Sequence, residues 1–154
     1  MTSHVSRSSF GVSRPSETHR EHDFARFAAL AGRLLYSAIF VMTIVTHFSP
    51  QAATYAASQG VPMPNVLVPL SGVIATLGGL SIALGYRAKL GAWLIVLFLV
   101  PVTFWMHAFW KVADPQMAQV QLAMFMKNLA LLGAALLIAY FGSGPFSLDA
   151  RSKR

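Results

Sequence analysis

Four long apolar runs, separated by short polar segments, constrain the fold of this chain more than any other feature. They extend over residues 27–48, 66–86, 90–109 and 115–141. A helix needs about 20 apolar residues to cross a bilayer, and each run supplies them. Charged residues make up only 11% of the chain, whereas an ordinary soluble domain has about 25%. The sequence therefore predicts an all-α fold, an integral membrane four-helix bundle, with the lipid bilayer as its first partner.

The basic residues predict how the bundle is oriented. They precede the first run, join the second run to the third, or follow the fourth, and the opposite connectors carry only Lys111. Lys and Arg concentrate in the cytoplasmic loops of membrane proteins. We therefore expect both termini in the cytoplasm and a multi-pass location in the inner membrane. This topology also accounts for the net charge of +7, so we expect no nucleic-acid partner.

The composition divides the chain into three parts. Residues 1–26 are rich in Ser, His and Arg without apolar periodicity, which predicts a disordered cytoplasmic tail. Residues 27–142 form the predicted four-helix transmembrane domain, and residues 143–154 form a basic cytoplasmic C-terminal tail. Arg33 lies near the start of the first run, and we expect its side chain to snorkel back to the headgroups.

Small residues mark one face of the second run. Ser71, Ala75, Gly79 and Ala83 recur at every fourth position. Small residues at that spacing allow two helices to approach closely in lipid. We interpret this stripe as a packing surface.

Polar residues in the last two runs predict a site near one membrane surface. Thr103, His107 and Lys111 are spaced to form one polar stripe on a helix. The fourth run carries Lys127 well inside it, and a lysine at that depth usually faces a bundle interior or a cavity. We therefore expect Lys127 to face the interior. His47, at the end of the first run, would converge with His107 if the runs pack together.

The sharper interpretation of this site is a pocket for a quinone headgroup. An imidazole and an ammonium can bind the ring oxygens and handle their protons, and aromatic side chains together with Met124 would form the walls. The candidate ligand-binding residues are His47, His107, Trp110, Gln121, Lys127 and Asn128. No covalently bound cofactor is expected.

A plainer interpretation also fits these residues. The histidines can be satisfied by interfacial water, and Lys127 with Asn128 can bond to backbone carbonyls and staple the bundle. Trp105, Phe109 and Trp110 can form an interfacial belt. Two histidines without a carboxylate are a poor metal site, so no metal is expected. Cysteine is absent, which excludes disulfides and iron–sulfur ligation by this chain.

Several segments of the chain, in order, resemble the DoxX family of small four-helix bacterial membrane proteins. They are Gly32-Arg33-Leu34-Leu35, the connector at residues 55–62, the pair Gly78-Gly79, residues 107–110 and residues 127–133. The likeness covers the chain from about Gly32 to Asp149. It departs from the family where Ala75 replaces a frequent glutamate and where His47 aligns with a frequent lysine.

The resemblance implies a membrane subunit associated with quinone-linked oxidoreductases, whose partner subunit holds the redox centre. The chain itself carries no self-contained catalytic motif. A structural membrane anchor without a ligand and a small transporter are the alternatives. The oligomeric state, including a homo-oligomer, stays open at this stage.

Overall fold

The computed structural model describes residues 15–152, with side chains from residue 23 onward. Its helices are α1 (Pro15–Met42), α2 (Ile44–His47), α3 (Pro50–Ser58), α4 (Pro64–Leu84), α5 (Ala88–Met106), α6 (Pro115–Phe141) and α7 (Leu148–Arg151), with one 3-10 turn at Phe109–Lys111. Within this part of the chain, four stretches are long and apolar enough to span a membrane: Asp23–His47, Pro64–Leu84, Ala88–Lys111 and Pro115–Phe141. The predicted all-α fold with four spans is confirmed.

The first helix begins earlier than the sequence predicted. We expected a disordered tail through residue 26, but α1 starts at Pro15. Proline suits the first position of a helix, because its missing N–H would have no partner there. Residues 1–14 of the predicted tail lie outside the described residues.

The long helices form an open arc in the order α1, α4, α5, α6. Helix α4 packs against α1 on one side and α5 on the other, and α5 packs against α6. Helices α1 and α6 do not pack along their lengths. They are bridged where the Tyr36 hydroxyl donates to the Leu131 carbonyl at 2.9 Å. The bundle therefore has one side at which its first and last spans are only loosely joined.

Glycines let α4 approach both of its neighbours. Gly78 faces α5, where an added Cβ would lie 2.9 Å from the Gly91 carbonyl oxygen. Gly79 faces α1, where an added Cβ would lie 3.1 Å from the Cβ of Phe40. The predicted stripe is thus a packing surface at Ala75 and Gly79, which are both buried. Gly78 forms a second surface that the four-residue spacing did not indicate.

A buried arginine closes the end of the bundle at which α6 ends and α7 lies, here called the tail end. Arg33 is only 5% exposed, and its guanidinium donates to the carbonyls of Ser143 and Phe146. The expectation that Arg33 snorkels to the headgroups is therefore wrong. The C-terminal segment folds back over it and supplies carbonyl acceptors that the sequence pattern did not reveal.

The same segment caps the third span. The carboxylate of Asp149 accepts hydrogen bonds from the backbone N–H groups of Arg87 and Ala88 at 2.8 and 3.2 Å. A negative charge at this place also favours the positive end of the α5 dipole. Gly85 lies beneath the segment, with φ of +63° and no room for a Cβ beside Ser147. The tail end is thus fastened by Arg33 and Asp149 together.

Two glycine-to-alanine changes test the packing of α4. Gly78→Ala should destabilise the protein because its new methyl group meets backbone and Ile95 at under or about 3 Å. Gly133→Ala is the matched control, since an added Cβ there has no neighbour within 4 Å. It should stabilise α6 by up to about 1 kcal/mol through helix propensity. Thermal unfolding in detergent measures both, and a Gly78→Ala protein as stable as the control would contradict the packing account.

Candidate ligand cavity

A cavity of about 510 Å³ lies at the end of the bundle opposite the tail end. It is bounded by all four spans, and α3 lies across it with Ala52, Tyr55 and Ala56 on its wall. Sites for small molecules typically measure about 300–1,000 Å³. The wall is mainly apolar, with polar side chains at a few places: Thr43, Thr46, His47, Tyr55, Ser71, His107, Lys127 and Asn128.

His107 reaches the cavity because α5 ends just before it. The helix stops at Met106, and His107 is its C-cap residue. The His107 ring donates from Nδ1 to Oε1 of Gln121 at 2.8 Å. Nε2 of Gln121 in turn donates to the Tyr55 hydroxyl at 3.3 Å. This chain of bonds ties α3 to the ends of α5 and α6.

The predicted polar stripe of the third span is therefore wrong. Because the α-helix ends at Met106, Lys111 falls in the 3-10 turn and is exposed away from this cavity. Thr103 is buried and donates to the Leu99 carbonyl of its own helix. Of the three residues, His107 alone lines the cavity.

His47 lines the cavity from the first span. Its Nδ1 lies 2.8 Å from the Thr43 carbonyl oxygen, which can only accept, so Nδ1 carries the proton and Nε2 of the neutral ring is an acceptor. The imidazole ring packs against the Phe98 ring in a tilted arrangement, with the ring centroids 5.8 Å apart. Gly72 leaves room for it, because a Cβ there would lie 2.5 Å from the Cβ of His47.

Asn128 and Lys127 face the cavity without strong partners. Asn128 is 5% exposed, lines the cavity, and forms no side-chain hydrogen bond with any described residue. Lys127 lines the cavity from its open side and is exposed rather than enclosed. Lys127 therefore lines the cavity but is not enclosed by the bundle, as a fully interior lysine would be. Its ammonium contacts the Met124 sulfur at 3.3 Å, a weak acceptor.

Only some of the aromatic residues expected to form the cavity wall lie there. Trp105 lines the cavity. Trp110 is 54% exposed and packs against Phe109 and Phe125 instead. The structure therefore does not bring Trp110 to the other candidate residues. Met124 is also absent from the wall.

Sequence reasoning missed the contribution of the connector to this site. The cavity-lining residues Ala52, Tyr55 and Ala56 lie on α3. Its position over the cavity could have been suspected from Tyr55, an aromatic side chain with a polar tip in an otherwise alanine-rich helix. Thr43 and Ser71 were also missed, because each lies inside an apolar run.

The comparisons with known proteins agree with this architecture. The DoxX family model matches residues 28–108, which is 81 of the 154 residues of the chain. The chain belongs to the DoxX family. The match takes in the first three spans, α3 and His107, so most of the cavity wall lies within it.

Individual relatives extend the likeness along the chain. Inner membrane protein YqjF of Escherichia coli (strain K12) is 28% identical over 120 residues, covering 78% of this chain and 88% of the relative. Inner membrane protein YphA of the same organism is 30% identical over 97 residues, covering 63% and 69%. A Surfeit locus protein 4 homolog of Schizosaccharomyces pombe is 26% identical over 134 residues, covering 86% and 40%. No solved structure matches the chain.

Replacing Gln121 by Leu tests the link between α3 and the spans. The change removes both side-chain hydrogen bonds, each of which contributes about 0.5–1.5 kcal/mol. Hydrogen exchange of the α3 amides should therefore become about tenfold faster. Gln119→Leu serves as the control, since Gln119 is exposed on the same helix and does not line the cavity. Unchanged exchange in the Gln121→Leu protein would show that the link does not hold α3.

Proposed function

We propose that this DoxX-family protein binds the headgroup of a membrane quinone in the cavity, as the membrane subunit of an oxidoreductase system. One observation carries the proposal: an apolar cavity within the spans holds polar groups that the protein itself leaves unpaired. A buried polar group without a partner costs about 1–3 kcal/mol. Asn128 is the buried residue of the two, so a ligand that pairs with its amide would reduce that cost, and the exposed Lys127 offers a second donor at the open side of the cavity.

The unpaired groups match both redox states of a quinone ring. The Asn128 amide and the Lys127 ammonium are donors, and a quinone carbonyl oxygen accepts from them. The Nε2 atoms of His47 and His107 are acceptors when their Nδ1 atoms donate. A quinol hydroxyl group donates to such a nitrogen. The residues that line the cavity thus include donors for a quinone carbonyl and acceptors for a quinol hydroxyl.

The electrons must come from a partner. The chain contains no cysteine, so it cannot ligate an iron–sulfur cluster through thiolates. In this proposal the partner subunit carries the redox centre, and the protein described here positions the quinone. A structural anchor without a ligand is the alternative to which a negative result would point.

We also propose an inner-membrane location with both termini in the cytoplasm. YqjF and YphA of Escherichia coli are inner membrane proteins by name. Arg87, Lys89 and Arg151 lie at the tail end of the bundle, which agrees with the positive-inside rule. The cavity would then lie toward the periplasmic side.

The absence of cysteine provides a clean test of this orientation. Ser58 and Ser152 are both exposed, and they lie at opposite ends of the bundle. A membrane-impermeant maleimide should label Ser58→Cys in intact cells and Ser152→Cys only after lysis. Labelling of Ser152→Cys in intact cells would reverse the proposed topology.

Quinone retention tests the proposed ligand. After gentle purification, the quinone bound per protein should fall about tenfold in Asn128→Leu, the effect of losing about 1.4 kcal/mol of binding. His107→Phe and Lys127→Met should also retain less. Gln119→Leu is the control, because it removes an amide that does not line the cavity. Equal retention in all variants, or none in the wild type, would favour the anchor.

A further inference from the structure

We propose that the ligand enters the cavity sideways from the bilayer, between α1 and α6, and that Lys127 is the first polar group it meets. This opening is called the seam. The cavity-lining residues on its two sides are Ile39 and Thr43 of the first span and Lys127 and Leu131 of α6. The site would then take amphiphiles dissolved in the membrane, with an apolar chain and an oxygen-bearing head. The inference uses the cavity of the proposed function, but not the identity of the ligand as a quinone.

The order of packing leaves the seam open. Helix α4 holds α1 and α5 closely through Gly79 and Gly78, whereas the extensive packing of α6 against a long helix is with α5. The Tyr36–Leu131 hydrogen bond bridges α1 and α6. Beyond it, toward the cavity, the two helices contribute facing walls without packing on each other. A chain-like molecule can therefore lie between them with its tail in the lipid.

The aqueous end of the cavity is covered. Helix α3 lies across it, and its Ala56 is fully buried. Tyr55 is bonded to Gln121, which is bonded to His107. These bonds join α3 to both α5 and α6 at the place where a solute from the water would have to pass. The route from the membrane requires no such bonds to break.

The position of Lys127 indicates which kind of ligand headgroup can pass through the seam. Lys127 is the thirteenth of the 27 residues of α6, so it lies near the middle of that span. Among the described residues, no carboxylate lines the cavity. An ammonium at this depth is costly unless it finds an acceptor. A carbonyl, hydroxyl or acidic oxygen passing through the seam supplies one, and the Asn128 amide lies beside it on α6.

A cysteine on the far wall of the cavity reports the route directly. Ser71 lines the cavity from α4, and Ser71→Cys would be the only thiol in the chain. In proteoliposomes, a lipid-dissolved pyrenyl maleimide should modify it. A negatively charged methanethiosulfonate added to the water should react at least about tenfold more slowly, after correction for the reactivity of the two reagents with a free thiol.

Filling the seam should slow the reaction from the membrane. Lys127→Trp, in the Ser71→Cys background, should reduce modification by the pyrenyl maleimide about tenfold. Leu137→Trp is the matched control, since Leu137 is exposed on α6 away from the cavity. Ile39→Trp fills the seam from α1 and replaces Lys127→Trp if that variant has a lowered melting temperature.

The outcomes separate this inference from the proposed function. Equal reaction with and without the seam-filling tryptophan, or faster reaction from the water, would overturn the lateral route even if the protein retains quinone. Slowed reaction in Lys127→Trp, together with no quinone in the purified wild type, would support the lateral route and rule out a quinone as the ligand. The thiol assay involves no quinone, so the two failures cannot be confused.

Discussion

The close approach of α4 to its two neighbours determines the rest of this structure. In lipid no hydrophobic effect drives helices together, so contact depends on side chains small enough to let backbones meet. Gly79 meets α1 and Gly78 meets α5, which places α4 at the centre of the first three spans. Helix α6 then joins the arc through α5. An arc of four helices has two free flanks, and between those flanks lies the seam that leads to the cavity.

Two basic residues within the spans, Arg33 and Lys127, are accommodated in opposite ways. Arg33 is buried, and its planar guanidinium donates to two carbonyls of the segment that follows α6. That segment also carries Asp149, which caps α5. Lys127 has no comparable partner and contacts a thioether at the edge of the cavity. One cation thus fastens the tail end, and the other has only a weak acceptor among the described residues.

Sequence patterns predicted the features that depend on neighbouring residues. Apolar run length predicted the four spans, including a fourth run from residue 115. Helix α6 begins there, after Asp114, whose side chain accepts from two backbone N–H groups. The pairing of Arg33 with Ser143 could not be predicted in this way, because 110 residues separate them. The stripe through Lys111 was wrong because the helix ends at Met106, a boundary that apolar run length does not define. Trp110 was misplaced for the same reason, since the 3-10 turn directs it toward Phe125.

A purely structural role explains the positions of some residues in the polar cluster but not of others. His107 and His47 each have a protein partner at Nδ1, so a structural role accounts for their positions. Gln121 is likewise accounted for by its bonds to His107 and Tyr55. A staple made by Lys127 and Asn128 requires bonds to neighbouring carbonyls, and among the described residues neither side chain makes one. A lysine at the centre of a span costs about 2.5–3.5 kcal/mol on insertion into the membrane. The anchor interpretation names no interaction that offsets this cost. In the proposal above, a ligand head in the cavity would pair both groups at once.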